Sequence, residues 1–109
     1  DHILVRLGDS GGIETSGYLS GSRESATLST SGFVVFVGNS AREAYGEMNL
    51  TRVGTSNRWT STHAVSMSTI SCAGGGIKTL SDTITTIRIT RTGTDSFSGS
   101  GKVSIRYWQ

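Results

Sequence analysis

The sequence predicts an all-β fold: a single-domain antiparallel β-sandwich or jelly roll of about eight short strands. Its 109 residues include 15 glycines and no proline, and serine and threonine are abundant, a composition that suits short strands joined by glycine turns. Several segments alternate apolar and polar residues, whereas none has the 3.6-residue apolar period of a helix. The strand-like segments recur at regular spacing between turn signals, and the length suits one domain with one modest core.

The N-terminal half predicts three strands. Residues 2–7 form a short apolar run that a glycine closes, which indicates a buried strand. Residues 8–17 contain four glycines and are predicted to form a loop, and residues 18–23 follow as a short second strand. Residues 33–37 are the most hydrophobic strand, and the dipeptide Gly38-Asn39 ends it with a turn.

The middle of the chain predicts a hairpin. In residues 45–53, Met48 and Leu50 alternate with polar side chains, as in a half-buried strand. Residues 54–57 make the connection, and residues 58–67 form the partner strand. One face of that partner strand carries Trp59, Ser61, His63, Val65 and Met67.

The C-terminal part predicts three further strands. Residues 70–73 form a short strand, and the three glycines at 74–76 are interpreted as a flexible linker. Residues 83–92 form a threonine-rich strand in which Ile84 is out of phase, a sign of a bulge. In residues 103–107 apolar and polar side chains alternate cleanly, so we expect a last strand that runs essentially to the C-terminus.

A short motif near the N-terminus raises the question of catalysis. Residues 8–12 read GDSGG, the string that surrounds the nucleophilic serine of chymotrypsin-like proteases. In those proteases the activating histidine and aspartate precede the serine, whereas the only histidine upstream of Ser10 is His2, on a predicted strand. We therefore predict a turn capped by the side chains of Asp9 and Ser10, not a nucleophile. We therefore expect that the protein is not an enzyme. A serine hydrolase that uses Ser10 is the alternative.

Charge and metal-binding residues exclude several function classes. The net charge is +2 and the ten cations are scattered singly, so we expect no nucleic-acid partner. Two histidines and one cysteine lie far apart without the spacing of a zinc site, and we expect no metal and no other cofactor. The lone Cys72 is expected to be a small buried residue. No apolar run is long enough to cross a bilayer, so we expect no stable membrane insertion.

Four stretches of the chain resemble the C-terminal modules of tailed-bacteriophage tail proteins. Those modules pair a short strand ending in LG with a glycine loop and TSGY, and they continue with an arginine–tryptophan hairpin, a glycine run before an alternating Ile/Thr strand, and a closing GTD segment. In order and spacing the four stretches cover most of the chain, and residues 23–45 are the least similar part. They are LVRLGDSGGIETSGYLSGS (4–22), GEMNLTRVGTSNRWTST (46–62), GGGIKTLSDTITTIRIT (74–90) and TGTDSFSGSGKVSIRYW (92–108).

The resemblance implies a compact β-sandwich, jelly-roll or tumour-necrosis-factor-like, over residues 1–109. Such a domain would be the C-terminal fragment of a longer fibre, tailspike or tail needle protein in the virion, and it would form a homotrimer at the distal end of the tail. Its expected role is contact with the bacterial cell surface, through a receptor, a glycan or an outer-membrane component, for recognition or envelope penetration. The alternative role is purely structural: trimerisation or capping that registers an upstream fibre or spike.

Loops rather than strand faces are expected to carry a receptor contact. The candidate segments are residues 38–45, 54–58 and 92–101. Exposed aromatic rings stack on sugar rings, and Asn, Asp and Arg side chains hydrogen-bond to hydroxyl groups. The candidate receptor- or glycan-binding residues are therefore Tyr45, Asn57, Arg58, Asp95 and Phe97. For the aromatic members of this set, a place in the core is the alternative.

Three side chains are candidates for the trimer interface: Arg52, His63 and Trp108. Arg52 falls on the apolar face of residues 45–53, where burial without an acidic partner would be costly and a neighbouring subunit could supply the acid. His63 shares a face with apolar side chains, and Trp108 falls on the outer face of the last predicted strand. The alternatives are a partly exposed Arg52 near a strand end and a His63 whose hydrogen bonds are satisfied within the core.

Overall fold

The computed structural model describes residues 1–23, 27–38, 41–67, 69–94, 96–97 and 101–107. These residues form nine strands in two sheets and contain no helix, and every strand pair is antiparallel, which confirms the predicted all-β sandwich. The strands are β1 (Ile3–Asp9), β2 (Gly12–Ile13), β3 (Tyr18–Ser22), β4 (Thr27–Ser29), β5 (Phe33–Val35), β6 (Tyr45–Arg52), β7 (Arg58–Met67), β8 (Ile70–Thr79) and β9 (Thr86–Arg91).

The two sheets differ in size. The larger one has five strands in the order β4-β3-β8-β7-β6. In the smaller one, β1 pairs with β9 along one edge, from Ile3 opposite Arg91 to Gly8 opposite Thr86. The other edge of β1 pairs first with β5 and then with β2. The outer edges of β6 and β9 therefore have no strand partner within the described part of the chain.

The core lies between the sheets and follows the two-residue period of the strands. Its main cluster is formed by Val5 and Leu7 of β1, Tyr18 of β3, Phe33 of β5 and Leu80. A second cluster at the other end contains Phe36, Met67 and Cys72, so the lone cysteine is buried as expected. The predicted inward face of residues 58–67 is confirmed, since Ser61, His63 and Met67 are all buried there.

Two serine hydroxyls connect the sheets across the sandwich. Ser20 Oγ accepts the Val34 N–H at 2.8 Å, and Ser22 Oγ accepts the Phe36 N–H at 3.0 Å. Both acceptors are buried, and both donors belong to β5 or follow it directly. Buried backbone donors need a partner, and here side chains of the opposite sheet supply it.

The three glycines at 74–76 form the middle of a continuous strand, so their interpretation as a flexible linker is wrong. β8 lies between β3 and β7 and pairs with both along these residues. A Cβ atom on Gly75 would lie 2.6 Å from the carbonyl oxygen of Ser61, and one on Gly76 would lie 2.7 Å from that of Leu19. Side chains at these positions would collide with the flanking backbones, and glycine removes the collision.

Four other expectations need correction. Residues 8–17 are not all loop, because β1 continues to Asp9 and pairs with β2 in a tight hairpin. The short strand β4 falls where no strand was predicted, and the strand predicted over 33–37 ends at Val35. Residues 103–107 are described as an irregular, exposed segment and belong to neither sheet. Alternation is a local signal, whereas a strand also needs an edge with which to pair.

Candidate functional site

The GDSGG motif is the turn of the β1–β2 hairpin. Asp9 Oδ1 accepts the Gly11 N–H at 2.9 Å, and Gly12 adopts a positive φ of 111°, so a turn capped by Asp9 is confirmed. The predicted capping by Ser10 is wrong, because its hydroxyl group bonds outside the turn. Ser10 Oγ lies 3.5 Å from Asp82 Oδ2. A serine nucleophile needs an imidazole that takes its proton. His2 Nδ1 instead accepts backbone N–H groups, and His63 Nε2 bonds to another serine.

A buried ion pair holds the chain that follows this hairpin. Lys78 is only 5% exposed, and its Nζ lies 2.7 Å from Glu14 Oε1 and donates to the Ser16 carbonyl at 2.7 Å. The second Glu14 oxygen, Oε2, accepts the Ser81 N–H at 2.9 Å. The hydrogen bond from Lys78 lowers the pKa of Glu14 to about 2, so the carboxylate is charged at neutral pH. Lys78 lies in register with inward residues of β3 and β7, so the phase of β8 explains its burial.

The hydroxyl group of Tyr18 ties the same segment to β1. It accepts the Leu7 N–H at 2.8 Å and donates to the Glu14 carbonyl at 2.9 Å. The Tyr18 ring packs edge-on against Phe33, with 5.2 Å between the ring centroids. Tyr18 of the TSGY stretch is therefore part of the core, whereas Thr15, Ser16 and Gly17 are exposed.

The solvent-exposed side of the larger sheet is here called the outer face. Two exposed leucines, Leu19 and Leu28, and the exposed Tyr45 stand at its borders. Between them the floor is made of small residues, which keep the surface flat. The floor residues are Gly21, Ala64, Ser66, Ser71, Ala73 and Gly75.

Two shallow grooves cross the outer face. The first lies between Leu19 and Leu28, over Gly75. The second is bordered by Tyr45 and Arg23, over the serines and alanines of β7 and β8. Such a groove combines an aromatic ring, a guanidinium group and small hydroxyl groups on a flat floor, which are groups suited to a sugar or another flat polar ligand.

The two border residues of the second groove have neighbours that position them. The Tyr45 hydroxyl donates to Glu43 Oε2 at 2.7 Å, and this bond raises the pKa of Tyr45. Arg23 adopts a positive φ of 53°, and its guanidinium lies 4.4 Å from the centroid of the Phe36 ring. Arg42 also lies over this ring, at 5.6 Å. The cation beside the groove is therefore anchored on a buried aromatic side chain.

The predicted receptor-binding residues do not form one cluster. Tyr45 begins β6, whereas Asn57 and Arg58 lie at the far end of the hairpin, about 23 Å away for seven strand steps. Arg58 Nε donates to Thr79 Oγ1 at 3.2 Å, and the Asn57 carbonyl accepts the Leu80 N–H at 2.9 Å. Phe97 is exposed, so neither it nor Tyr45 takes the core alternative. Asp95 lies outside the described residues.

Sequence reasoning missed the remaining groove residues: Arg23, Ala64, Ser66, Ser71 and Ala73. The alternation within residues 58–67 already assigns Ala64 and Ser66, the two members on β7, to one face. The β8 members, Ser71 and Ala73, fall within the strand predicted over residues 70–73, but the pairing of that strand with β7 was not predicted. Arg23 falls on this surface through pairing of β3 with β8, which no local pattern predicts.

Of the predicted interface residues, Arg52 is exposed. Its Nε donates to the Ser56 carbonyl at 2.7 Å and its Nη2 to the Thr55 carbonyl at 2.9 Å, so it caps the β6–β7 turn. The single chain does not bury Arg52, which agrees with the alternative of an exposed position near a strand end. Trp108 lies outside the described residues. A place for either at a subunit interface stays a prediction.

His63 is buried inside the single chain. Its Nε2 and Ser22 Oγ lie 2.9 Å apart, and burial lowers the pKa of the imidazole. Its Nδ1 and the hydroxyl oxygen of Ser61 are buried without a hydrogen-bond partner among the described residues. This is the core alternative with one ring nitrogen satisfied, and an interface role for His63 stays a prediction.

Comparisons with protein-family models, with curated proteins and with solved structures find no match. Within the described ranges, no group of three or more His, Cys, Asp or Glu side chains is placed to bind a metal ion. The same residues contain no helix that could cross a membrane. The candidate site therefore rests on the outer face and on the geometry of its borders.

Proposed function

We propose that this domain is the distal tip module of a tailed-bacteriophage tail protein, a homotrimer that contacts the bacterial cell surface. In the virion it would recognise a surface receptor, a glycan or an outer-membrane component, or assist envelope penetration. The four stretches that resemble tail-protein modules support this role. The observation that carries it is the set of large apolar side chains that are exposed on the single chain.

A folded monomer of 11.5 kDa is expected to expose about 5,800 Å² of surface. This chain exposes 7099 Å², about a fifth more. A subunit of a stable complex buries about 800 Å² per partner, so the excess has the size of a subunit interface. Large apolar side chains contribute to it at many positions: Leu19, Leu28, Tyr45, Val53, Ile87, Ile89, Phe97, Val103, Ile105 and Tyr107.

The outer face supplies a second element of the proposal. An exposed Tyr45 ring offers a stacking surface for a sugar, and Arg23 with the hydroxyl groups of Ser66 and Ser71 offers hydrogen bonds. Tyr45, Ser66 and Ser71 lie on sheet strands, which hold them in place without the ordering cost of a loop, and Arg23 directly follows β3. The second groove is therefore the proposed receptor-contact surface.

Oligomeric state and cell binding test the two parts separately. Light scattering at micromolar concentration is expected to give three times the chain mass of 11.5 kDa, and a stable monomer would overturn the trimer. Fluorescently labelled domain is expected to bind host cells, and Tyr45→Ala and Arg23→Ala are each expected to weaken binding about tenfold while the trimer persists. Thr51→Ala, an exposed substitution on β6 outside the groove, is the matched control.

The purely structural role is the second candidate, because the exposed apolar surface supports trimerisation by itself. In that case the groove substitutions leave virion adsorption unchanged, and substitutions that break the trimer prevent assembly of the parent fibre or spike. Adsorption assays on virions that carry each variant distinguish the two roles.

A further inference from the structure

A strand-like segment near the C-terminus has no strand partner in the part of the chain that the structure describes. In residues 101–107, Val103, Ile105 and Tyr107 alternate with Lys102, Ser104 and Arg106. The three apolar side chains are 68%, 66% and 82% exposed. A period-two segment with this much exposed apolar surface lacks the sheet edge that it needs.

The edge strand β6 has a free backbone edge to which no described strand is paired. Among the described strands it pairs only with β7. Met48 and Leu50 point to the core side of β6 and remain half-buried, while Glu47 is exposed on the outer face. An unpaired edge of eight residues is a template for another strand.

We propose that residues 101–107 of one copy add to the free edge of β6 of a second copy as an antiparallel strand. The inference rests on the homotrimer proposed above and identifies its interface. Every described strand pair is antiparallel, which favours that direction here. Backbone hydrogen bonds along the edge would supply affinity, and the side chains would determine the register.

One register satisfies both faces of the new strand pair. With Ile105 opposite Met48, Val103 lies opposite Leu50, and the apolar face of the sheet extends by one strand. In the same register Arg106 lies directly opposite Glu47, and opposite charges in such a pair are stabilising. Tyr107 then lies opposite Gly46, where an aromatic ring covers a glycine at a sheet edge.

Charge and length favour β6 over the other free edges. The edge strand β9 carries Arg88 and Arg91, and Arg88 lies opposite Arg6 of β1. Lys102 and Arg106 would meet like charges there, whereas β6 offers an acid. The strands β2 and β4 have only two and three residues, too few for a seven-residue segment.

The proposed contact joins two different surfaces of the chain, a strand edge and a terminal segment. Such a head-to-tail interface closes into a ring when the rotation between copies is right, and three copies make the ring of a homotrimer. Each subunit then donates one segment and receives one.

Substitutions at exposed positions test the contact without changing the chain's own core. Ile105→Glu is expected to reduce the mass measured by light scattering threefold, from trimer to monomer, with an unchanged circular dichroism spectrum. Leu28→Glu is the matched control, since Leu28 is 71% exposed but lies on β4, and it is expected to leave the trimer intact.

Charge reversal tests the register. Glu47→Arg and Arg106→Glu are each expected to raise the dissociation constant of the trimer at least tenfold, and the double variant is expected to restore it. Sedimentation at several concentrations measures both constants. Arg88→Glu on β9 is the control, expected to have no effect.

Engineered cysteines test the direction and the partner. Under mild copper-catalysed oxidation by dissolved oxygen, Glu47→Cys with Arg106→Cys is expected to give covalent trimers on a non-reducing gel. Neither single-cysteine variant is expected to cross-link, because the native Cys72 is buried. Cross-linking instead with Lys102→Cys would overturn the antiparallel register, and a disulfide within one chain would overturn the second copy as occupant.

The outcomes separate this inference from the proposed function. A wild-type monomer overturns the trimer itself. A wild-type trimer that survives both Ile105→Glu and the two charge reversals leaves the trimer standing and overturns strand addition to β6.

Discussion

Lys78 and Glu14 form an ion pair of 2.7 Å across 64 residues of sequence, with the lysine almost fully buried. The pair joins the central strand β8 to the segment after the GDSGG hairpin. Because Ser16 and Ser81 complete the hydrogen bonds of the two charged groups, the pair acts as a satisfied network. It is a polar contact between the segment after the N-terminal hairpin and the larger sheet.

Removing one partner of this pair is expected to destabilise the fold. Lys78→Met leaves the Glu14 carboxylate without its cation, and we expect the free energy of unfolding to fall by about 3 kcal/mol. Replacing both residues, Lys78→Met with Glu14→Leu, is expected to recover much of the loss because no unpaired charge remains. Urea unfolding measures both. Arg88→Gln, at an exposed charged residue of β9 outside the pair and outside the proposed subunit contact, is the control, with an expected change within about 0.5 kcal/mol.

The same pair predicts a loss of stability in acid. The pKa of Glu14 falls from 4.5 to about 2 on folding, so the unfolded chain binds this proton at a higher pH than the folded one. The stabilisation is therefore complete above pH 4.5 and is lost as the pH falls towards 2. Urea unfolding at intervals across this range is expected to show a steeper decline for the wild type than for Glu14→Gln, and equal slopes would contradict the assignment.

A second pH dependence is expected from His63 nearer neutrality. Burial lowers the pKa of His63 below 6.5, so the unfolded chain takes up this proton first and stability falls as the pH drops below 6.5. His63→Asn is expected to flatten this part of the curve. The pKa of His2 is also lowered, so the comparison is made in a His2→Gln background, with and without His63→Asn. The difference in pH dependence between these two variants then belongs to His63. A difference that is constant with pH would exclude His63 as its source.

An alanine substitution in the glycine run at 74–76 distinguishes a packed central strand from a flexible linker. A Cβ on Gly75 would lie 2.6 Å from the Ser61 carbonyl oxygen, and we expect Gly75→Ala to reduce the free energy of unfolding by about 2 kcal/mol. In a flexible linker the same change would be neutral or slightly stabilising. Thermal and urea unfolding measure it, with Gly11→Ala in the exposed hairpin turn as the control, expected to change little.

Strand prediction succeeded where the local pattern was complete. The β6–β7 hairpin has nearly its predicted bounds, and the inward face of β7 has its predicted residues. The capped turn at Asp9 was predictable because its donor and acceptor are two residues apart. By contrast, the hydrogen bonds of Arg52 to the carbonyl groups of the β6–β7 turn were not predictable, because an alternation pattern does not show them.

The candidate groove could be predicted only in part. Tyr45 was selected for its ring and is exposed at the border, whereas Asn57 and Arg58 lie at the opposite end of the hairpin. Placing Arg23 beside Tyr45 requires four strands to assemble in order. No residue in the sequence near either position encodes that order.

The sequence by itself determined the all-β class, the β6–β7 hairpin and the turn chemistry of GDSGG. Each of these depends on residues close together in the chain, where alternation and side-chain capping act. The tertiary structure decided that the glycine run is a central strand and that Lys78 meets Glu14. Within the described part of the chain, it also leaves residues 101–107 and the outer edge of β6 without a strand partner. These features depend on strand pairing over long sequence separations. The local pattern is compatible with several such pairings, and the choice among them is made by the close approach of backbones, by burial and by charge pairing.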